Sequence, residues 1–109
     1  MYVKLCDLAD LEEGAMLPVG IGYTLVLAVW PLGGEPRALQ GICPHAGHLL
    51  MDARFDGRHL TCRAHDWVFD STNGLCTVGG LCTLVEYPSQ VRNGELHADL
   101  DVHPNRLYR

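Results

Sequence analysis

Cys43-Pro44-His45-Ala46-Gly47-His48-Leu49-Leu50 and Cys62-Arg63-Ala64-His65-Asp66-Trp67-Val68-Phe69 each open on a cysteine and place a histidine within three residues of it. The first pair is C-x-H and the second C-x-x-H, with sixteen residues between His45 and Cys62. Each pair follows a stretch that reads as a strand, Arg37–Ile42 and Arg58–Thr61. Between them Asp56-Gly57 separates Ala53–Phe55 from Arg58–Thr61, a two-residue hairpin signal. A hairpin carries the chain out and back, so the two loops come to lie side by side and two thiolates and two imidazoles converge. Thiolate with imidazole suits zinc or iron. A structural zinc site is one outcome, but zinc spacing usually groups cysteine with cysteine and histidine with histidine. One of each per loop suits a dinuclear cluster better, Cys43 and Cys62 on one iron and His45 and His65 on the other.

Outward from these loops the chain reads as short strands joined by turns. Tyr2–Leu5 is a first strand, and Asp7–Glu13 a single helical turn capped by Asp7 or Asp10. Ala15–Val19 is strand-like. Gly22–Trp30, rich in Tyr23, Thr24, Val26, Val29 and Trp30, reads as a strand buried on both faces. Pro31, Gly33, Gly34 and Pro36 make a turn before Arg37–Ile42. Asn73-Gly74 marks a further turn, and Asn93-Gly94 joins Ser89–Arg92 to Glu95–Asp99 in a second hairpin. No segment keeps a helical period over ten residues, and the polar stretch Asp101–Arg109 reads as a loosely held tail. The fold class is all-β and mostly antiparallel.

The 109 residues suit one domain with one core, and 48% hydrophobic with 19% charged residues is a globular composition. A formal net charge of −5 argues against nucleic acid or an anionic membrane as partner and fits docking onto basic protein surfaces. The opening MYVKLCDLAD has no apolar run of a leader. The longest apolar run, Tyr23–Leu32, falls far short of the roughly 20 residues that span a bilayer. The expected location is cytoplasmic. Five cysteines, an odd number, suit metal binding better than a disulfide framework.

CPHAGHLL followed by CRAHDWVF resembles the two-loop signature of Rieske iron–sulfur proteins, with Pro44, Gly47 and an aromatic after the second histidine. Arg63–Phe69, Cys82 and Glu86-Tyr87-Pro88 are most similar to the ferredoxin component of toluene-type, multicomponent diiron aromatic monooxygenases. The resemblance implies the Rieske fold: antiparallel sheets in a single domain, 1–109, whose small cluster-binding subdomain of two hairpin loops spans roughly 42–82. It implies one [2Fe–2S] cluster on Cys43, His45, Cys62 and His65. The chain is then no enzyme, since its ligands fill both irons. It carries single electrons from an NADH-dependent flavin and iron–sulfur reductase to a diiron hydroxylase. The ferredoxin of a Rieske aromatic-ring dioxygenase is the alternative. A structural zinc-binding interaction module and a small regulatory subunit of a reductase are readings from other classes.

Ligand chemistry sets the electron affinity. Two ferric ions with two sulfides leave a double positive charge that two thiolates cancel, whereas a four-cysteine cluster stays more negative and takes an electron at greater Coulomb cost. Histidine ligation therefore lifts the potential to roughly −150 to +300 mV across the class. High-potential relatives join an extra cysteine in each loop; His48 and Ala64 stand there in this chain. Asp66-Trp67 stands where those relatives place a hydroxyl. The low end of the range is expected. The exposed rim of Pro44, Ala46, Gly47, His48, Ala64, Asp66 and Trp67 is the expected docking surface. His48 reads as an exposed loop residue, His59, His97 and His103 as surface residues, and Trp30 and Trp67 as packing. Cys6, Cys76 and Cys82 read as small buried hydrophobes. Cys76 and Cys82 bracket a Gly79-Gly80 turn that folds over the cluster loops.

Overall fold

The computed structural model describes residues 1–44, 47–64 and 66–101. In chain order the strands are β1 (Tyr2–Asp7), β2 (Met16–Ile21), β3 (Thr24–Val29), β4 (Arg37–Gln40), β5 (Arg54–Phe55), β6 (His59–Thr61), β7 (Val68–Asp70), β8 (Cys76–Val78), β9 (Glu86–Tyr87), β10 (Ser89–Arg92) and β11 (Glu95–Asp99). They form three sheets, ordered β1-β11-β10, β2-β3-β4-β9 and β5-β6-β7-β8. Every strand pair is antiparallel.

The run Thr24-Leu25-Val26-Leu27-Ala28-Val29 explains the layering. Side chains alternate across a strand, and here both faces are apolar. Val26 and Ala28 join Leu5, Leu11, Tyr87, Leu96 and Ala98 in one core. Leu27 and Val29 join Leu39, Leu50, Leu60, Phe69 and the two motif cysteines, Cys43 and Cys62, in another. The β2-β3-β4-β9 sheet is thus the middle layer, with β3 buried on both faces at Val26, Leu27, Ala28 and Val29, whereas Tyr23 of the expected strand is exposed and precedes it. Each such fully buried Leu or Val contributes about 1.5–3 kcal/mol. The loops of interest grow from the second core.

Turn chemistry fixes the registers. Asn93 (φ 53) and Gly94 (φ 74) are both left-handed between paired Arg92 and Glu95, the I′ geometry that Asn-Gly favours. The other hairpin differs by one position. Its central residues are Gly57 and Arg58, because the Asp56 N–H donates to the His59 carbonyl at 3.2 Å. The Asp56 carboxylate accepts the N–H groups of Arg58 (3.0 Å) and His59 (2.7 Å), an Asx turn that leaves Gly57 to take φ 102. Gly57 also meets Leu32: the Leu32 N–H donates to its carbonyl at 2.8 Å, and a Cβ there would lie 2.6 Å from Leu32 Cδ1. That contact ties the middle sheet to the β5-β6-β7-β8 sheet.

Other boundaries moved slightly. The turn after β1 is a 3₁₀ turn, Leu8–Asp10, with Asp7 at its N-cap position making no side-chain cap. The Asp7 carboxylate pairs with Lys4 Nζ at 2.9 Å instead. The strand expected over Arg37–Ile42 ends at Gln40, since Ile42 leaves the sheet to bridge Leu49. Of the expected loose tail, Asp101 lies 3.0 Å from the terminal amine of Met1, and the remainder, with His103, lies outside the described residues. Among the described residues no helix is long and apolar enough to cross a membrane.

Candidate metal centre

Two loops with the same closure carry the two motif cysteines. In the first, the Cys43 N–H donates to the His48 carbonyl (2.8 Å) and the Gly47 N–H to the Cys43 carbonyl (2.9 Å). In the second, the Cys62 N–H donates to the Trp67 carbonyl (2.8 Å) and the Asp66 N–H to the Cys62 carbonyl (2.8 Å). In both, the cysteine binds the fifth residue after it and is bound by the fourth. That fourth residue is left-handed in each, Gly47 at φ 72 and Asp66 at φ 55. Glycine takes this conformation freely, and aspartate tolerates it better than most residues. Cys43 and Cys62 are fully buried in one apolar cluster. His45 and His65 fall within the two closed loops by sequence and lie outside the described residues.

Three further contacts hold these loops. Gln40, fully buried, donates from Nε2 to the Ile42 carbonyl (2.6 Å) and accepts the Val85 N–H at Oε1 (2.7 Å). Gly41 approaches β3 so closely that a Cβ would sit 2.4 Å from the Leu25 carbonyl oxygen, which also accepts the Gly41 N–H at 2.9 Å. Arg63 Nε donates to the Asp52 carbonyl, tying the second loop to the segment that follows the first. A covering hairpin completes the shell. Gly79 and Gly80 lie on the Trp67 ring, where added Cβ atoms would come within 2.4 and 2.6 Å of it. The Gly79-Gly80 turn thus folds over the second cluster loop.

Asp66, exposed, pairs with Arg54 at 3.1 Å, and His48 Nε2 lies 3.8 Å from Asp52. Deeper, Asp70 accepts from Arg58 Nε (3.2 Å) and Nη2 (3.0 Å) and from the Thr72 N–H (2.9 Å) and hydroxyl (2.6 Å). Burial pushes the Asp70 carboxyl up, but these bonds outweigh it and hold it at about 2. Burial, followed by the neighbouring Cys76 and Cys43, pushes the Cys82 thiol up to about 11.

Of the expected rim, Gly47, His48, Ala64 and Asp66 are exposed and Trp67 is half-buried. Pro44 is buried and leaves the rim, its apolar ring being favoured out of water. Ala46 lies outside the described residues. Cys6 and Cys82 are buried as expected, whereas Cys76 is only half-buried. His97 is half-buried against Glu95, 3.0 Å away, rather than free at the surface. Gln40 and Asp70 were not singled out from sequence. A glutamine closing an apolar strand and the turn-rich run Asp70-Ser71-Thr72-Asn73-Gly74 were the available signals.

The family profile described as "Rieske [2Fe-2S] domain" matches residues 1–98, nearly the whole chain and both loops. The chain belongs to the Rieske [2Fe–2S] family. It is 32% identical over 104 residues to the ferredoxin component of the p-cumate 2,3-dioxygenase system of Pseudomonas putida, covering 94% of this chain and 88% of that one. It is 33% identical over 97 residues to the ferredoxin component of the alkene monooxygenase system of Xanthobacter autotrophicus, covering 87% and 78%. Sphingomonas yanoikuyae B1 ferredoxin shares the fold, with a TM-score of 0.78 at 22% identity over 91% of this chain and 98% of that one. This Rieske ferredoxin therefore takes one [2Fe–2S] cluster and acts as an electron carrier rather than a catalyst, which sets aside the zinc-binding module. The donor chemistry fits: two soft thiols from matching loops lie in one buried apolar cluster. When bound, the cluster supplies one-electron redox chemistry; the chain supplies the rigid loops and the apolar shell.

Proposed function

We propose that Cys43, His45, Cys62 and His65 hold the cluster, in a subdomain of roughly 42–82 within a single Rieske domain. The chain then carries single electrons from an NADH-dependent flavin reductase to the oxygenase component of an aromatic-compound oxygenase system. The observation that carries this is the pair of identically closed loops delivering two buried cysteines to one core. The docking face is the exposed rim of Gly47, His48, Ala64 and Asp66, extended by the exposed apolar side chains of Leu49 and Met51. Small, transient contacts suit such a carrier.

Between oxygenase types, a ring dioxygenase leads. The tracts that pointed to a toluene-type monooxygenase with a diiron hydroxylase have packing work to do whatever the partner. Arg63 ties two loops, Trp67 lies under Gly79-Gly80, and Tyr87 is buried in the core between sheets. The p-cumate dioxygenase relative also matches over more of both chains than the alkene monooxygenase relative does. The monooxygenase reading stays second, favoured by the 33% identity to the latter. Reconstituted turnover decides: NADH, a reductase, this ferredoxin and either a ring dioxygenase or a diiron monooxygenase hydroxylase, with product formation measured. Turnover with the dioxygenase supports the leading reading, turnover with the hydroxylase alone replaces it with the second, and none with either refutes the electron-carrier assignment to aromatic oxygenases.

A further inference from the structure

Cys76 and Cys82 stand outside the ligand set proposed above, on which this inference rests, and their placement is specific. Leu75 and Thr83 form an antiparallel bridge. The Leu84 N–H donates to the Gly74 carbonyl at 2.8 Å, and the Cys76 N–H donates to the Cys82 carbonyl at 3.1 Å. This register sets Cys76 directly opposite Cys82, in the hydrogen-bonded class of pair whose Cα atoms lie about 5.5 Å apart. That spacing is within the usual range for a disulfide, whose Cα separation peaks at about 5.5–6 Å. The two thiols are already in contact, and Cys43 is a neighbour of Cys82. Cys76 is half-buried and donates its S–H to the Val78 carbonyl at 3.2 Å, whereas Cys82 is 5% exposed. One sulfur can therefore meet an oxidant arriving from solvent while the other waits behind it. The segment they bracket is the Gly79-Gly80 hairpin that lies on Trp67.

We propose that Cys76 and Cys82 are a peroxide-responsive dithiol whose disulfide locks the covering hairpin onto Trp67 beside the second cluster loop. The oxidant is hydrogen peroxide or an organic hydroperoxide. The Cys76 sulfur attacks a peroxide oxygen; the O–O bond breaks, one water (or alcohol) leaves, and Cys76 becomes a sulfenic acid. The Cys82 thiol attacks that sulfur, forming the S–S bond and releasing the sulfenic oxygen as a second water. In sum two thiols lose two electrons and two protons and one peroxide is reduced. A thiol reductant reverses it by exchange. The modification closes a six-residue step in the chain and leaves Cys43 and Cys62 untouched.

The test uses the cluster-loaded protein under anaerobic conditions, with hydrogen peroxide added stepwise and the visible cluster absorption followed. Trypsin releases Ala64–Arg92, which carries Cys76 and Cys82 and no other cysteine. The expected result is that this peptide becomes two hydrogens lighter and loses both sites of alkylation while the cluster absorption persists. Dithiothreitol restores both sites. Cys76→Ser and Cys82→Ser each abolish the lighter peptide and keep the cluster. Amide hydrogen exchange over Val78–Leu81 slows on oxidation and recovers on reduction. The proposal is overturned if the cluster bleaches before the peptide lightens, if Cys76 passes to the sulfinic acid with Cys82 still alkylated, or if the exchange rate is the same in both forms.

Discussion

Gln40→Leu separates a hydrogen-bonded clamp at the loop base from simple packing. Leucine has nearly the same volume, so little cavity opens. What disappears is a two-ended clamp: Nε2 to the Ile42 carbonyl at 2.6 Å and the Val85 N–H to Oε1 at 2.7 Å, in a residue with no exposed surface. Two backbone groups are then left unpaired at about 1–3 kcal/mol each, partly offset by the lower desolvation cost of leucine, for a net loss of about 2–4 kcal/mol. With a urea slope of about 1.5 kcal/mol per molar, the midpoint falls by about 1.3–2.7 M. The assay is fixed-time urea incubation of the cluster-loaded protein, reading visible absorption and far-ultraviolet circular dichroism together. Gln40→Glu adds a signature. Only the protonated acid can donate to Ile42, and burial raises its folded-state pKa. The stability this variant retains is therefore present below the unfolded value near 4.3 and is lost as pH rises through the folded one. A Gln40→Leu midpoint within about 0.5 M of the parent refutes the clamp.

Three other outcomes follow from the same geometry. The Asp70 carboxyl, held at about 2, contributes stability that is present above its unfolded value near 3.9 and lost as pH falls through about 2. Discounted for the exposed Arg58 partner, its contribution is about 1–2 kcal/mol. Acid titration of Asp70→Asn should lack this component, and an acid-unfolding curve unchanged from the parent would argue against it. Gly79→Ala places a Cβ 2.4 Å from Trp67 Cδ2 at φ 126. The overpacking costs about 1–3 kcal/mol and lowers the thermal midpoint of cluster loss by at least about 5 °C. Gly20→Ala, with no atom within 4 Å of the added Cβ, should stay near the parent midpoint, and equal midpoints for both variants would contradict the contact. The reduction potential should be level through neutral pH and fall only at alkaline pH, because iron charge in the oxidised state favours loss of the histidine ring proton. A level potential up to about pH 11 would contradict the proposed histidine ligation.

The sequence was most readable where one residue decides a backbone conformation or a periodicity decides burial. Asn93-Gly94 supplied two left-handed residues in a row and its hairpin formed at the expected register. The apolar run of β3 fed two cores by alternation. The motif spacing placed both cysteines in equivalent loops. It was less readable where a side chain competes with the backbone for its N–H groups. Asp56 moved its hairpin by one position, and Asp7 chose Lys4 over the cap. The same competition hid Gln40 and Asp70, whose roles depend on partners 45 and 12 residues away. Pro44 was expected on the rim because it neighbours a ligand position, but sequence adjacency carries no information on burial. The tracts read as marking the partner carry a second signal for a related reason: Trp67 lies under Gly79-Gly80 and Tyr87 is buried, so these residues report local packing as well as any partner.

Electron paramagnetic resonance of the dithionite-reduced protein addresses the ligand set itself. Ligation by two cysteines and two histidines gives a single [2Fe–2S] signal whose average g value lies below that of a four-cysteine cluster, lost in Cys43→Ser and Cys62→Ser and altered in His45→Cys. A signal with the average g of four-cysteine ligation, or a colourless and silent protein holding one zinc ion, would contradict it.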